Sequence, residues 1–298
     1  MVKNEAGNTH NKRGYLNRDF ELFHIKDQKN LQFEFHYHDF NKIIIFISGK
    51  VTYLIEGKAY RLKPWDVLLI SSREVHKPII DAEEVYERIV LWVNTDFLTR
   101  HSNPDCDLSS CFDRAYNEKF NLIRFDPSEL KDIRTILSHM EEACKSNEFG
   151  SHILKNSLFM QFIVQINRKL ISTRKNIESS DIEFDESISS ILDYINENLG
   201  KDLSIEHIAS RFFMSKYYLM HKFKNQTGYS LYNYILQKRL IAANELIKKG
   251  VPAMETSIEC GFGDYSSFVR AFKKMFGSSP KKYYMNLQKE QKLNEKEH

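Results

Sequence analysis

The chain has 298 residues, 43 Lys and Arg against 40 Asp and Glu, and 42% hydrophobic residues, enough length and apolar content for two domains with separate cores. No segment reaches the roughly 18 apolar residues needed to cross a bilayer, the N-terminal MVKNEAGNTHNKRGY has no signal-peptide run, and Cys106, Cys111, Cys144 and Cys260 form no CxxC or zinc-ligand spacing. These exclusions predict a cytoplasmic chain with reduced thiols and no membrane partner, and its charge is uneven: from Ser187 onward there are 17 Lys and Arg against 11 Asp and Glu, but 26 against 29 before it.

The first 125 residues read as β-rich. Phe33, Phe35 and Tyr37 alternate with Glu34, His36 and His38, which puts the two histidines on one strand face. Ile43 to Ile47 is a continuous apolar strand, and Val51 to Ile55, Ala59 to Leu62 and Val67 to Ile70 follow. Turns at Ser48 and Gly49, Glu56 and Gly57, and Lys63 and Pro64 separate them. Short strands joined by such turns predict an antiparallel sandwich or barrel.

From Ser128 the period becomes helical. Glu129 to Ala143 places Leu130, Ile133, Ile136, Leu137 and Met140 on one stripe. His152 to Ile171 does the same with Ile153, Leu154, Leu158, Phe159, Phe162, Ile163 and Ile166. Both stripes are too wide for one neighbour. The polar stretch Ser172 to Glu186 reads as an interdomain linker.

The remaining residues carry two copies of one pattern. In the first, Ile205, Ile208 and Ala209 form the apolar face of a short helix. Ser215 caps a second helix that buries Leu219 and Phe223, and Gly228 ends it. A helix from Ser230 to Lys249 follows. In the second copy, Gly261 and Phe262 close a short helix, Asp264 or Ser266 caps the next, and Phe268, Phe272 and Phe276 recur every four residues. Tyr265, Val269, Arg270, Lys273 and Lys274 lie opposite. A short helix, a tight turn and a second basic helix describe a helix-turn-helix, whose second helix enters the DNA major groove.

The run GFGDYSSFVRAFKKMFGSSP, with its upstream partner LSIEHIASRFFMSKYYLMHKFKNQTG at the matching interval, resembles the double helix-turn-helix domain of AraC/XylS-type bacterial transcription regulators over about residues 187 to 288. The resemblance implies base-edge contacts at Tyr217, Met220 and His221 in the first recognition helix, and at Tyr265, Ser266, Val269 and Arg270 in the second. Lys216, Lys222, Lys224, Lys273 and Lys274 then serve as phosphate contacts, or else belong to a solvated helix face. The second scaffold helix departs from the family pattern at Thr256, Ser257 and Cys260, and polar groups there weaken packing unless partnered.

Upstream, HYHDFNKIIIFISGKVTYLIEGKAYRLKPWDVLLISSREVHKP resembles the cupin barrel that many such regulators carry as a sensor, over roughly residues 20 to 95. Metal-binding cupins use two early histidines, a glutamate and a later histidine. Here His36, His38 and His76 align, but Lys42 stands at the glutamate position, and an ammonium cannot ligate a cation. That favours an organic effector met by His36, His38, Lys42, Tyr53 and His76, with no metal and no cofactor. Glu34 keeps the metal alternative open, and Trp65 stands where the family's turn commonly has Gly.

The expected architecture is therefore α+β with two domains. A cupin-like β-barrel spans 1–125, a helical dimerisation segment 126–173, a linker 174–186, and an all-α double helix-turn-helix 187–298. The resemblance implies a homodimeric activator that binds double-stranded DNA, a small-molecule effector such as a sugar, and RNA polymerase. It is not expected to be an enzyme. The alternatives are a metal-dependent cupin enzyme fused to a DNA-binding domain, and a regulator controlled by a protein partner or by abundance.

Overall fold

The computed structural model describes residues 16, 18–28, 40–81, 83–172 and 181–294. The predicted strand at Phe33 to Tyr37, with Glu34, His36 and His38, lies outside the described residues. The chain divides into two compact units, one through Glu183 and one from Phe184 onward.

Among the described residues the first unit holds nine strands: β1 (Phe20–Asp27), β2 (Asn41–Ser48), β3 (Val51–Ile55), β4 (Lys58–Arg61), β5 (Val67–Ile70), β6 (His76–Ile80), β7 (Tyr86–Val93), β8 (Leu122–Ile123) and β9 (Ile182–Glu183). They form two sheets, ordered β1-β7-β2-β5-β8 and β6-β3-β4-β9. The expected closed barrel is corrected by this topology: the sheets share no strand, and no barrel closes among the described residues. The apolar run in β2 has a different cause. Its Ile43 and Ile45 face a helix-covered core, whereas Ile44 and Phe46 join the core containing Tyr53 and Tyr60 of the other sheet. Burial on both faces requires apolar side chains at every position.

The described residues of this unit also form four helices: α1 (Thr95–Arg100), α2 (Ser110–Glu118), α3 (Pro127–Lys145) and α4 (Ser151–Ser172). The first two lie within the region read as β-rich. Asp126 and Glu129 form a capping box around Pro127 at the start of α3. Helix α4 buries Phe159, Phe162, Ile163 and Ile166 in its own domain, with Phe159 stacked on Phe20 at 4.3 Å between centroids. At about 1.5–3 kcal/mol per buried large side chain, this stripe anchors the helix to the sheet. Ile153 and Leu154 near its start remain 70% and 57% exposed.

The stretch read as linker contains ordered parts. Ile182 and Glu183 pair with Tyr60 and Ala59 as an edge strand, and Asp181 is buried between Arg124 and Lys63.

The second unit is helical: α5 (Glu186–Glu197), α6 (Ile205–Arg211), α7 (Lys216–Thr227), α8 (Leu231–Lys248), α9 (Ala253–Glu259), α10 (Tyr265–Phe276) and α11 (Pro280–Asn294). Ser230 caps α8 through the Asn233 amide. Buried Leu231, Tyr234, Leu240, Ala243 and Ile247 make α8 the spine against which α7, α9, α10 and α11 pack. Among the described residues no helix is long and apolar enough to cross a membrane.

Candidate DNA-binding interface and inner sheet face

In the first helix-turn-helix, Ser204 caps α6 through the His207 amide and Ser215 caps α7 through the Tyr218 amide. Buried Leu219, Phe223 and Thr227 fix the rotation of α7. Tyr217 and Met220 are therefore left 77% and 40% exposed, and His221 is exposed beside Tyr217, their rings nearly parallel at 6.2 Å. Three predicted base-edge residues thus share an accessible face.

The second unit repeats this arrangement. Asp264, rather than Ser266, caps α10 by accepting from the Ser267 amide at 2.6 Å. Phe268, Phe272 and Phe276 are buried in successive ring contacts of 5.6 and 4.3 Å. Tyr265, Ser266 and Arg270 are exposed, and Val269 is half-buried. Ser267, which the sequence reading passed over, accepts a bond from Arg270 Nη2 at 3.1 Å. Its spacing of three residues on one helix face was the available signal.

The polar residues of α9 find partners. Thr256 and Ser257 are buried, and their hydroxyls donate to the carbonyls of Val251 at 3.4 Å and Met254 at 2.7 Å. Gly261 follows at φ +76, where a Cβ would lie 2.5 Å from the Leu199 carbonyl oxygen and 2.8 Å from Arg239 Nη2. Arg239 itself donates to the carbonyls of Leu199 and Lys201 at 2.9 and 2.8 Å, so this turn closes against the end of α5.

The predicted phosphate contacts differ in availability. Lys224, Lys273 and Lys274 are exposed. Lys216 is exposed but paired with Glu206 at 2.5 Å. Lys222 is half-buried and paired with Asp185 at 2.9 Å.

In the first unit, strand register brings the described effector candidates to the space between the two sheets. Tyr53 lies opposite Tyr60 and Pro78, and His76 opposite Ile55. Lys42 alternates in phase with Ile44 and Phe46, which pack in that same inter-sheet core. His36 and His38 are outside the described residues. Tyr53 and His76 are buried, Lys42 half-buried. The Tyr53 and Tyr86 hydroxyls meet at 3.0 Å, Tyr60 donates to Asn121 Oδ1 at 3.0 Å, and His76 Nδ1 lies 3.3 Å from the Glu74 carbonyl. Burial holds the Tyr53, Tyr60 and Tyr86 phenols above their ordinary range, so they act as neutral donors and acceptors. Arg88, buried against the Tyr86 ring at 4.1 Å and bonded to Asp27 at 3.1 and 3.2 Å, adds a charge the sequence reading missed. Tyr60 meets Asn121, and Tyr53 meets Tyr86, through long-range pairing that no local motif announces.

Trp65 adopts φ 72 in the turn after Lys63 and Pro64, with the Arg134 guanidinium 4.2 Å above its ring. The contact with α3 holds a bulky residue in a conformation that L side chains avoid.

Comparison with known proteins places these features in context. Residues 21–175 match the family model described as the AraC-like ligand binding domain, and residues 208–286 match a helix-turn-helix domain model. The HTH-type transcriptional activator RhaS of Enterobacter sp. (strain 638) is 24% identical over 251 residues, covering 83% of this chain and 85% of the relative. RhaS of Salmonella schwarzengrund (strain CVM19633) is 25% identical over 254 residues, with the same coverage. Among solved structures, ToxT from Vibrio cholerae covers 90% of this chain and 98% of its own at 16% identity and TM-score 0.36. The DNA-binding domain of AdpA, solved with a target DNA, covers 34% of this chain and 93% of its own at 22% identity and TM-score 0.33.

Proposed function

The chain belongs to the AraC family of transcription regulators, with an N-terminal ligand-binding domain and a C-terminal DNA-binding helix-turn-helix domain, and on that premise we propose how its own residues divide the work. The carrying observation is that both α7 and α10 are fixed by buried apolar stripes while presenting polar and aromatic residues outward. Tyr217, Met220 and His221 read one major-groove segment. Tyr265, Ser266, Val269 and Arg270 read a second, roughly 34 Å or one turn away. Arg270 carries the sharpest readout, since a guanidinium can bond guanine O6 and N7 together, and Ser267 pre-orients it. Lys224, Lys273 and Lys274 hold register on phosphates.

The inter-sheet face with Lys42, Tyr53 and His76 receives a small organic effector, for which a sugar is the working class; His36 and His38 are effector candidates from the sequence alone. The effector shifts the population of DNA-binding states by its differential affinity for them. The exposed start of α4, Ile153 and Leu154, with Phe149 just before it, serves as the contact between two copies. The RhaS relatives are named activators, and we extend that sign, with RNA polymerase as partner, to this cytoplasmic chain. We assign it no enzymatic activity.

The test is selection of random duplexes by the full-length protein at near-physiological salt. Two enriched blocks about one helical turn apart are expected. Arg270→Ala should relax preference at one or two positions within one block, by about 1–3 kcal/mol. Absence of any enriched site would remove the DNA-reading assignment.

A further inference from the structure

We propose that Asp185 is a positioning residue for DNA binding: it withholds Lys222 of the recognition helix α7 from the phosphate backbone by acting as that lysine's internal counterion. The inference rests on the assignment of α7 as a recognition helix and changes the role of one of its residues.

Four observations carry it. Lys222 follows His221 directly on α7, among the residues assigned to DNA, yet it is half-buried where Lys224 is exposed. Its Nζ lies 2.9 Å from Asp185 Oδ2 and 5.6 Å from the Tyr218 ring, so one anion and one aromatic face already hold it. The two carboxylate oxygens of Asp185 have separate tasks. Oδ1 caps α5, accepting from the Ser187 and Ile188 amides at 3.0 and 3.2 Å and from the Ser187 hydroxyl, while Oδ2 is the oxygen given to Lys222. Asp185 is also two residues beyond the edge strand β9, at the start of the DNA-binding unit. The counterion is therefore supplied by the segment that leads in from the effector-binding domain.

A lysine contributes to DNA affinity by releasing condensed cations from a phosphate, and one already neutralised by a carboxylate releases little. The division of labour at Asp185 makes this separable from helix stability. Asn keeps an oxygen for the cap, is as good a capping residue as Asp, and presents no charge to Lys222.

The experiment is a two-by-two cycle of Asp185→Asn and Lys222→Gln in the full-length protein. Binding to a fixed, selected duplex is measured from 50 to 200 mM salt. Lys222→Gln alone should leave the slope of log affinity against log salt unchanged. Asp185→Asn alone should steepen it by about 0.9, which is roughly a 3.5-fold greater loss of affinity across that range. The double variant should return to the wild-type slope. Base preference should be the same in all four proteins. Asp185→Ser, a second uncharged cap, should reproduce Asp185→Asn and covers the case in which Asn misfolds. A slope that Asp185→Asn and Asp185→Ser leave unchanged would overturn the proposal, as would a flattening of about 0.9 by Lys222→Gln alone. Failure of all four proteins to select any duplex would count against α7 as a recognition helix, and is thereby distinguishable.

Discussion

Single residues in the two turns show how similar sequence patterns meet different constraints. Gly261 in the second turn and Phe213 in the first both have positive φ, +76 and 54. Only Gly261 is crowded, by the Leu199 carbonyl and the Arg239 guanidinium. Gly261→Ala combines the left-handed penalty of roughly 1–2 kcal/mol with a backbone clash, so about 2–4 kcal/mol of destabilisation is expected. Phe213 is 98% exposed and has little packing to lose. Phe213→Gly should stabilise by roughly 0.5–1 kcal/mol, after the greater chain entropy of glycine is set against the relieved strain. Urea denaturation followed by far-ultraviolet circular dichroism checks both, and equal effects at the two turns would show that the crowding at Gly261 is inconsequential. At this scale the sequence revealed most of the residues that face outward on α7 and α10, because caps and a four-residue period are local, although Lys222 and Val269 are half-buried. It did not reveal that Lys216 and Lys222 already hold Glu206 and Asp185, ten and thirty-seven positions away.

At the scale of elements, legibility follows the range of the interactions. The α7 and α10 boundaries were readable from Ser215, Gly228, Asp264 and Gly277, each of which satisfies end groups of its own helix. An antiparallel sandwich was one of the two expected arrangements, but its strand order was not readable, because β2 pairs with β5 and β7 and shares Ile44 and Phe46 with the core that contains Tyr53 of β3 and Tyr60 of β4. Nor was β9, two residues within a polar stretch. Helix α4 lies between these cases: its apolar stripe was evident, but most of it packs within its own domain. Phe159→Ala should therefore cost about 3–5 kcal/mol whatever the oligomeric state. Ile153→Glu, at a position 70% exposed, should leave the melting temperature nearly unchanged and shift sedimentation from dimer to monomer. A variant that remains dimeric would move the proposed contact away from the start of α4.

At the scale of the molecule, the segment that leaves the first unit is the covalent connection to the second, and the chemistry there is specific. Asp181, 8% exposed at its side chain, is held by Arg124 Nη1 at 2.6 Å and Lys63 at 3.3 Å, and Arg124 also clasps Asp66, 1% exposed, at 2.7 Å. Ile182 and Glu183 then add to the edge of β4, where Arg61 meets Glu183, and Tyr60 of that strand points into the inter-sheet core. Burial opposes ionisation of Asp181, but its bonds to Arg124 and Lys63 outweigh that and hold the carboxyl below its ordinary 3.8. A group with a depressed folded pKa adds stability that is present above its unfolded value and is lost as pH falls through the folded one. The attachment of β9 should thus be constant near neutrality and weaken only in acid, below about pH 4. Asp181→Asn preserves shape while removing the charge, and should weaken the attachment at pH 7 by roughly 1–3 kcal/mol. Hydrogen exchange reads this directly: the β4–β9 amides should open faster in the variant while β1–β7 pairing is unchanged, and the acid-dependent excess of wild type should vanish. If exchange at β9 were the same in both proteins, pairing of Ile182 and Glu183 with Tyr60 and Ala59 would be sufficient to hold the segment.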